Sequence, residues 1–206
     1  MSVSAVIFDM DGVLIDATEL HYLALNTALE SIGITIELDE HSQRFNGLPT
    51  RRKLEILSIE RGLPVALHKL LFDLKQIETF RLAAQNTKVR VKTIEMLEKL
   101  SERGLTLAVA TNSIRLTTEL FLNLAGIRDY FQQVSTNEDV FKAKPHPDIY
   151  LHACSLLDLP PENVLVVEDS DVGVTAATSA GCHVLRIDGP DNLSLHTIAD
   201  YIDGMR

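Results

Sequence analysis

Short runs of aliphatic residues alternate along this chain with longer segments whose apolar positions recur every three or four residues. A short aliphatic run closed by a small or acidic residue is typical of a buried parallel strand, and the periodic segments are typical of amphipathic helices. We predict strands at residues 3–8, 105–110, 163–167 and 183–187, with a weaker one at 131–135. Strands that alternate with helices predict an α/β fold with a Rossmann-like, doubly wound parallel sheet.

The rhythm changes between residues 16 and 84, where helical patterns follow one another with no strand-like run. Glycine and proline separate these patterns, as expected for loops between helices. We therefore predict an inserted all-α cap at 16–84 and a catalytic core formed by 1–15 and 85–206, with hinges near Asp16 and Ala84. The apolar positions of the cap helices, predicted to be mostly core, are Leu20, Leu23, Ala24, Ala28, Leu54, Leu57, Leu67, Leu70, Leu71 and Leu74.

The composition and the net charge limit the classes of partner that this protein could bind. The 206 residues are 46% hydrophobic and 23% charged, which is ordinary for a globular protein. A net charge of −10 opposes binding to nucleic acid or to an anionic membrane, so a phosphorylated ligand would need a local cation. The two cysteines, Cys154 and Cys182, lie in apolar stretches and are predicted to be buried free thiols. With no signal-peptide pattern and no apolar run of about 18 residues, we expect a cytoplasmic protein.

Polar residues follow the predicted strands at the point where each strand ends. In an open parallel sheet, ligands bind beyond the carboxyl ends of the strands. We therefore expect these residues to meet at one edge of the sheet: Asp9, Asp11 and Gly12; Thr111, Asn112 and Ser113; Lys144; Glu168, Asp169 and Ser170.

Four carboxylates at this edge, those of Asp9, Asp11, Glu168 and Asp169, would repel one another unless a divalent cation lay among them. Hard oxygen ligands indicate Mg²⁺. Residues i and i+2 of an extended segment point the same way, so Asp9 and Asp11 can face one reacting centre. One carboxylate could attack a phosphoryl group to form an aspartyl-phosphate, and the other could move protons.

A phosphate group would find its positive charge at Lys144, which stands in a proline-stiffened segment. Thr111 and Asn112 add a hydroxyl and backbone N–H groups at the predicted start of a helix. These three residues are the predicted phosphate binders.

Four segments of the sequence resemble, in order and spacing, the motifs of the haloacid dehalogenase superfamily: FDMDGVL, ATNS, KPHPD and LVVEDSDVGVTAATSAG. The insertion resembles the small helical cap of the branch that contains β-phosphoglucomutase and phosphoglycolate phosphatase. The resemblance implies that Asp9 is the nucleophile and Asp11 the general acid and base. It also implies that Asp9, the Asp11 carbonyl oxygen and Asp169 hold Mg²⁺, with Glu168 as a ligand or as a partner of the ligands.

The same resemblance points to substrate-binding residues in the cap. His21 falls where related mutases carry a histidine near the hinge. Those mutases also have an arginine shortly after a cap glycine, where this chain has Thr50 followed by Arg51 and Arg52. We expect specificity residues between Gly47 and Lys53, with Arg51 or Arg52 as a second anion binder. The other histidines, including His41, His68, His152 and His196, show no metal-ligand spacing and are predicted to be surface or packing residues.

The sequence favours a phosphatase acting on a small phosphorylated metabolite, as a monomer or dimer. A β-phosphoglucomutase-type phosphomutase is the main alternative, because it would differ only in the acceptor of the phosphoryl group. A phospho-aspartate receiver domain, which is a signalling switch, would not need the Asp11 partner or the long cap. A dehalogenase of the same superfamily would lack the second aspartate and the paired Glu168 and Asp169.

Overall fold

The computed structural model describes residues 3–204 and contains a five-stranded parallel sheet with the strand order β3-β2-β1-β4-β5. The predicted α/β class is therefore confirmed. Both ends of each strand lie within two residues of the predicted bounds. The strands are β1 Ala5–Phe8, β2 Thr106–Ala110, β3 Gln133–Ser135, β4 Val164–Glu168 and β5 His183–Arg186.

The register of the central strands explains why the site forms where it does. Phe8 of β1 pairs with Val109 of β2 on one side and with Val167 of β4 on the other. The next residues along the chain, including Asp9 and Glu168, therefore emerge level with one another at the same edge of the sheet.

Helices connect the strands and cover both faces of the sheet. Two of them, α3 and α8, end at glycines in the left-handed conformation, Gly62 and Gly181, as helix termini commonly do. The helices are α1 Thr18–Glu30, α2 Leu38–Glu40, α3 Thr50–Arg61, α4 His68–Asn86, α5 Val91–Glu102, α6 Arg115–Leu124, α7 Asp148–Leu157, α8 Asp171–Ala180 and α9 Leu195–Gly204. A π-helical turn, His41–Phe45, follows α2, and short 3₁₀ turns lie at Val65–Leu67, Arg128–Tyr130, Pro161–Asn163 and Pro190–Asn192.

The strands of the sheet are buried on both faces, which is why they appear in the sequence as continuous apolar runs. On one face Val6 and Phe8 pack with residues of α5 and α6. On the other face Ala5 and Ile7 pack with α7 and α8, including Tyr150. The alternation along β1 fixes which residue faces which layer.

The helices between residues 18 and 86 have a hydrophobic cluster of their own, with Leu25, Phe45, Leu57 and Leu71 among its buried members. The apolar positions of these helices were predicted to be mostly core, and Leu23 and Leu70 are exceptions, because they are 40% and 51% exposed. Both lie on the outward side of their helices. The buried positions of α4 instead follow a line that includes lysine and threonine: Leu71, Lys75, Gln76, Thr79, Leu82 and Ala83.

The connections between the helical insertion and the sheet differ at their two ends. Asp16, the first predicted hinge, lies just before α1, whereas Ala84, the second, lies inside α4, two residues before that helix ends. The second connection is therefore residues 87–90. Gln76 of α4 accepts a hydrogen bond from Thr117 of α6 at 2.9 Å, which ties the insertion to the sheet layer. The division into a core and a cap at 16–84 stays a prediction.

Cys154 and Cys182 are both buried free thiols, with their Sγ atoms 3.9 Å apart. Within residues 3–204, no helix is long and apolar enough to cross a lipid bilayer.

Candidate active site

Asp9 follows the central strand and is only 7% exposed at the floor of a cavity of about 670 Å³. Its backbone N–H donates to the Val167 carbonyl at 3.0 Å, which continues the pairing of β1 with β4 by one residue. Its Oδ1 accepts a hydrogen bond from the Lys144 ammonium at 2.6 Å. Burial raises the pKa of Asp9 well above its usual value, although the charge of Lys144 opposes that rise.

Lys144 connects the ends of three strands. Its Nζ donates to Asp9 Oδ1 and to Glu168 Oε1 at 2.6 Å each, and to the Ala110 carbonyl at 2.9 Å. Burial lowers the pKa of Lys144, but the carboxylates of Asp9 and Glu168 outweigh burial and leave it above the ordinary value. The residue is therefore a fixed cation at the centre of the sheet edge, and all three of its protons are in use. A phosphate at Asp9 would have to share them.

Glu168 is fully buried and accepts five hydrogen bonds. Lys144 and the Tyr150 hydroxyl, at 2.7 Å, donate to Oε1, whereas Oε2 accepts from the backbone N–H groups of Asp169 and Ser170 and from the Ser170 hydroxyl. Burial raises the pKa of Glu168, but Lys144 and these donors outweigh it and hold the pKa below its usual value. A carboxylate so fully bonded has little capacity left for a metal ion, which favours Glu168 as a partner of the ligands.

Asp169 lies against a position where only glycine fits. A Cβ on Gly12 would lie 2.2 Å from Asp169 Oδ2, and Gly12 has a φ of +91°. The close approach of this backbone brings Asp169 toward Asp9. Burial and the nearby charge of Glu168 raise the pKa of Asp169 to about 7.

Three carboxylates lie close enough together for a metal site, because Asp9, Glu168 and Asp169 each have an oxygen atom within 4.8 Å of the others. Since Glu168 already accepts five hydrogen bonds, Asp9 and Asp169 are the members with oxygens to offer a metal ion. Lys144 supplies one positive charge against three carboxylates. Burial, together with the neighbouring carboxylates, raises the pKa of Asp9 and of Asp169. Hard oxygen donors with excess negative charge fit a divalent cation such as Mg²⁺.

Asp11 faces the cavity between two side chains that fix its position. Its Oδ2 accepts from the Ser113 hydroxyl at 2.7 Å, and its Oδ1 lies 3.2 Å from His21 Nε2. Burial raises the pKa of Asp11, but His21 and Ser113 outweigh it, so that the pKa is lower than usual. Asp11 is therefore held in its ionised form.

The proton position on His21 follows from Lys75. The Lys75 ammonium lies 3.0 Å from His21 Nδ1, and an ammonium can only donate. Nδ1 is therefore the acceptor, and Nε2 carries the proton that faces Asp11. Burial and the charge of Lys75 lower the pKa of His21, so the ring is neutral.

Thr111 and Asn112 follow β2, as predicted, but have different surroundings. Thr111 lines the cavity, and its hydroxyl oxygen accepts from the Ser113 N–H at 3.1 Å. The Asn112 side chain accepts from the Lys144 N–H at 3.1 Å and donates to the Gly47 carbonyl at 2.7 Å. Asn112 therefore joins the loop before α3 to the sheet edge, and its amide is committed to that role. The helix α6 begins at Arg115, three residues after Asn112.

Arg51 and Arg52 lie at the mouth of the cavity rather than inside it. Both are exposed; Arg52 pairs with Glu55 at 2.8 Å, and the Arg51 guanidinium lies 5.7 Å from the centre of the Phe72 ring. The residue of this segment that reaches inward is Lys53, which is 6% exposed. The structure therefore brings Asp9, Asp11, Thr111, Lys144, Glu168, Asp169 and His21 together, but leaves the two arginines at the rim.

Lys53 ends the segment in which specificity residues were predicted, but neither Lys53 nor Lys75 was predicted as an anion binder, although both line the cavity and are buried. Burial lowers the pKa of Lys53 to about 7 and that of Lys75 to about 8. The signal was present in the helical periodicity. Lys53 precedes the buried Leu54 and stands four residues before the buried Leu57, and Lys75 stands four residues after the buried Leu71. A lysine within an apolar stripe indicates a buried charge.

Comparison with known proteins agrees with this geometry. The family model described as haloacid dehalogenase-like hydrolase matches residues 6–187. The chain belongs to this family. The match includes both acidic pairs and Lys144, so the resemblance given by the sequence motifs is confirmed.

Relatives of this family member are named as phosphatases and phosphomutases. A phosphorylated carbohydrates phosphatase of Thermotoga maritima is 36% identical over 86% of this chain and 81% of its own length. A β-phosphoglucomutase of Bacillus subtilis is 29% identical, covering 89% of this chain and 82% of the relative. The crystal structure of CbbY from Rhodobacter sphaeroides in complex with phosphate is 26% identical with a TM-score of 0.82, and covers 91% of this chain and 87% of that one. The protein is therefore an enzyme of the phosphoric monoester hydrolase type.

Proposed function

We propose that the protein is a Mg²⁺-dependent phosphatase that hydrolyses a small phosphomonoester, a sugar phosphate or a similar metabolite, through an aspartyl-phosphate on Asp9. One observation carries the proposal. Asp9 lies at the floor of the cavity beside the fixed Lys144 ammonium, and the ionised Asp11 lies two residues away in the same cavity. The similarity to a phosphatase named for phosphorylated carbohydrates supports this substrate class.

The nucleophile and its cation are in place before substrate arrives. We propose that an Asp9 oxygen attacks phosphorus while the bond from phosphorus to the leaving oxygen breaks. Lys144 offsets the negative charge of the phosphoryl oxygens, and the Thr111 hydroxyl lies in the same cavity as a donor. Asp9, Asp169 and the Asp11 carbonyl oxygen would hold Mg²⁺, which when bound would neutralise charge on the carboxylates and the phosphate.

Proton transfer is the proposed role of Asp11. The incoming phosphate dianion raises the proton affinity of a neighbouring carboxylate, so Asp11 can hold a proton and give it to the leaving oxygen. Asp11 is then ionised, as it is in the resting site, and takes a proton from the water that attacks the aspartyl-phosphate. The Ser113 hydroxyl binds Oδ2 of Asp11, and the His21 ring lies beside Oδ1.

A phosphomutase of the β-phosphoglucomutase type is the second candidate, and one structural observation favours it. A bisphosphate intermediate needs a cation in the cap, and this chain has Thr50 at the position where related mutases carry an arginine. The structure supplies such cations in Lys53 and Lys75. The two candidates therefore differ in whether water or a sugar hydroxyl takes the phosphoryl group from Asp9.

The test is to replace Asp9 by Asn and to measure phosphate release from a panel of sugar phosphates with Mg²⁺ present. We expect at least a 10³-fold loss of kcat, because the amide keeps the size of the side chain but cannot form the acyl-phosphate. Asp73→Asn is the matched control, since Asp73 is exposed and pairs only with Lys69 among the contacts of the described chain. More than a few per cent of residual activity in Asp9→Asn would disprove the role of the nucleophile.

The acceptor is decided by a second assay on the wild-type enzyme. β-Glucose 1-phosphate is supplied with glucose 1,6-bisphosphate as primer, and glucose 6-phosphate is followed against free phosphate. A phosphatase releases phosphate, whereas fast isomerisation with little free phosphate would favour the mutase. Steady turnover of either kind would exclude a signalling receiver.

A further inference from the structure

Lys53 has an unusual partner for a buried ammonium. It projects from α3 into the wall of the cavity, and its Nζ lies 3.3 Å from Nε2 of His41, which is itself buried. His41 lies outside the lining of the cavity, so it contacts Lys53 from behind. Because an ammonium only donates, Nε2 of His41 is the acceptor and the ring is neutral. The other ring nitrogen, Nδ1, is buried without a hydrogen-bond partner.

A second ammonium lies in the same wall. Lys75 also projects into the cavity and is bound to His21, a neutral ring as well. The two lysines are close enough for the charge of Lys75 to lower the pKa of Lys53. In the part of the chain that the structure describes, neither ammonium forms an ion pair with a carboxylate. Asp11 is the acidic group whose charge acts on both, and His21 stands against it.

This arrangement is unfavourable for the empty protein. Taking an ammonium out of water costs free energy that only an opposite charge with good hydrogen bonds offsets. His41 supplies one hydrogen bond to Lys53 but no charge. The remaining protons of the Lys53 ammonium are free for an acceptor inside the cavity, where the entering species are phosphorylated. An anion placed there would offset both buried charges.

The arginines of the same segment do not offer an equivalent site. Arg52 is exposed and neutralised by Glu55, and Arg51 packs over Phe72. An exposed, paired guanidinium adds little to binding because water and its partner already satisfy it. Lys53 is therefore, with Lys75, a buried cation of this segment of the fold that forms no ion pair with a carboxylate among the described residues.

We propose that Lys53, supported by His41, binds a second anionic group of the substrate, a carboxylate or a phosphate, while the scissile phosphate lies at Asp9. The inference rests on the proposed function and narrows its substrate to phosphomonoesters that carry a further anionic group. Lys53 then determines specificity within the cap, and Lys75 adds positive charge beside it.

The test compares substrates that differ by one anionic group. Glucose 6-phosphate is paired with 6-phosphogluconate and with glucose 1,6-bisphosphate, and glycerol 3-phosphate is paired with 3-phosphoglycerate. For the wild-type enzyme with Mg²⁺, we expect that in at least one of these pairs the substrate with the second anionic group has a kcat/KM at least tenfold higher than its partner. The carboxylate and bisphosphate arms then show which anion the site takes.

Lys53→Met keeps the length of the side chain and removes its charge. We expect this change to bring the ratio of kcat/KM between the two substrates of a pair close to one. Lys69→Met is the matched control, because it makes the same change in the same insertion at an exposed lysine paired with Asp73. It should keep the wild-type ratio. If Lys53→Met does not fold by circular dichroism, Lys53→Gln replaces it.

A binding measurement separates this inference from the proposed function. Calorimetric titration of the same pairs into Asp9→Asn reports affinity without turnover, with and without the Lys53→Met change. Loss of phosphate release from all substrates, with the binding preference intact, would reject the phosphatase and keep the anion site. Equal affinity and equal kcat/KM within every pair, or a preference that survives Lys53→Met, would overturn the assignment of Lys53.

Discussion

The molecule contains two clusters of buried charge that solve the same electrostatic problem in opposite ways. At the sheet edge, Lys144 lies between Asp9 and Glu168, and every proton of its ammonium has an acceptor. In the insertion, Lys53 and Lys75 are bound to neutral imidazoles and have no carboxylate partner within the described residues. The ammonium of Lys144 is neutralised by the protein itself. The ammonium groups of Lys53 and Lys75 are neutralised only when a ligand brings negative charge.

The difference follows from the backbone that carries each cluster. Asp9 and Glu168 lie at the ends of two neighbouring strands, β1 and β4, in fixed register, and Lys144 reaches both from the segment after β3. The lysines of the insertion project from two helices, α3 and α4, whose neighbours supply histidine rather than acid. A rigid centre whose lysine is already paired suits chemistry that is the same for every phosphate ester. Buried lysines in the cavity wall that have no acidic partner suit recognition of one substrate.

The largest effect is expected when the cluster at the sheet edge loses its cation, Lys144. Lys144→Met leaves two buried carboxylates facing each other, so we expect stability to fall by about 3–5 kcal/mol, as when one partner of a buried pair is removed. Activity should fall by at least about 10²-fold with the loss of a charge-assisted donor to the phosphate. Urea unfolding and phosphate release measure both quantities. Lys142→Met, an exposed lysine of the same segment, is the control and should change neither; an unaffected Lys144→Met enzyme would contradict the comparison.

Replacing Lys53 should raise stability, whereas replacing Lys144 lowers it. The dependence of stability on pH tests this expectation. The pKa of Lys53 is about 7 in the folded protein and about 10.5 when unfolded, so between these values the unfolded chain binds more protons and stability rises with pH. The charges that face Lys53 are those of Lys75 and Asp11, with His41 and His21 neutral. We therefore expect Lys53→Met to be more stable than the wild type at pH 7.

That advantage should shrink by about 2 kcal/mol between pH 7.5 and 9, since each pH unit in this window is worth about 1.4 kcal/mol for one proton. Denaturant unfolding of both proteins at several pH values measures it, and the subtraction removes the titration of groups that the two share. A difference independent of pH would show that the ammonium is not the cause.

The smallest effect is expected at the rim of the cavity. Arg52→Ala removes an exposed guanidinium that pairs with Glu55, and an exposed pair contributes only about 0–1 kcal/mol. We expect KM to change by less than about threefold and stability by less than about 0.5 kcal/mol. Steady-state kinetics on the preferred substrate check this. A loss of activity as large as that of Lys53→Met would return the specificity role to the arginine.

The sequence was informative where spacing along the chain is equivalent to distance in the fold. Asp9 and Asp11 are two residues apart, and Glu168 and Asp169 directly follow another strand, so parallel pairing alone places them at one edge. The position of Thr111, which directly follows β2, has the same reason. Even the strand bounds are reproduced closely, because buried parallel strands leave an unambiguous apolar signature.

The cap residues were harder to predict because helices can rotate about their axes. Arg51, Arg52 and Lys53 are consecutive, and a step of about 100° per residue decides which one faces the cavity. Leu23 and Leu70 were expected in the core for the same reason and are exposed. The lysine in each apolar stripe was the available signal, yet a lysine there is read first as solvent-facing.

By itself, the sequence determined the α/β class, the helical insertion and the identity of the residues at the sheet edge, because register and strand polarity leave one arrangement for them. Only the tertiary structure decided that Glu168 is fully bonded, that Asn112 joins the insertion to the edge, and that Lys53 rather than an arginine enters the cavity. These outcomes depend on which atoms meet across elements far apart in the chain. Their charges act over ångströms of space, whatever the number of residues between them.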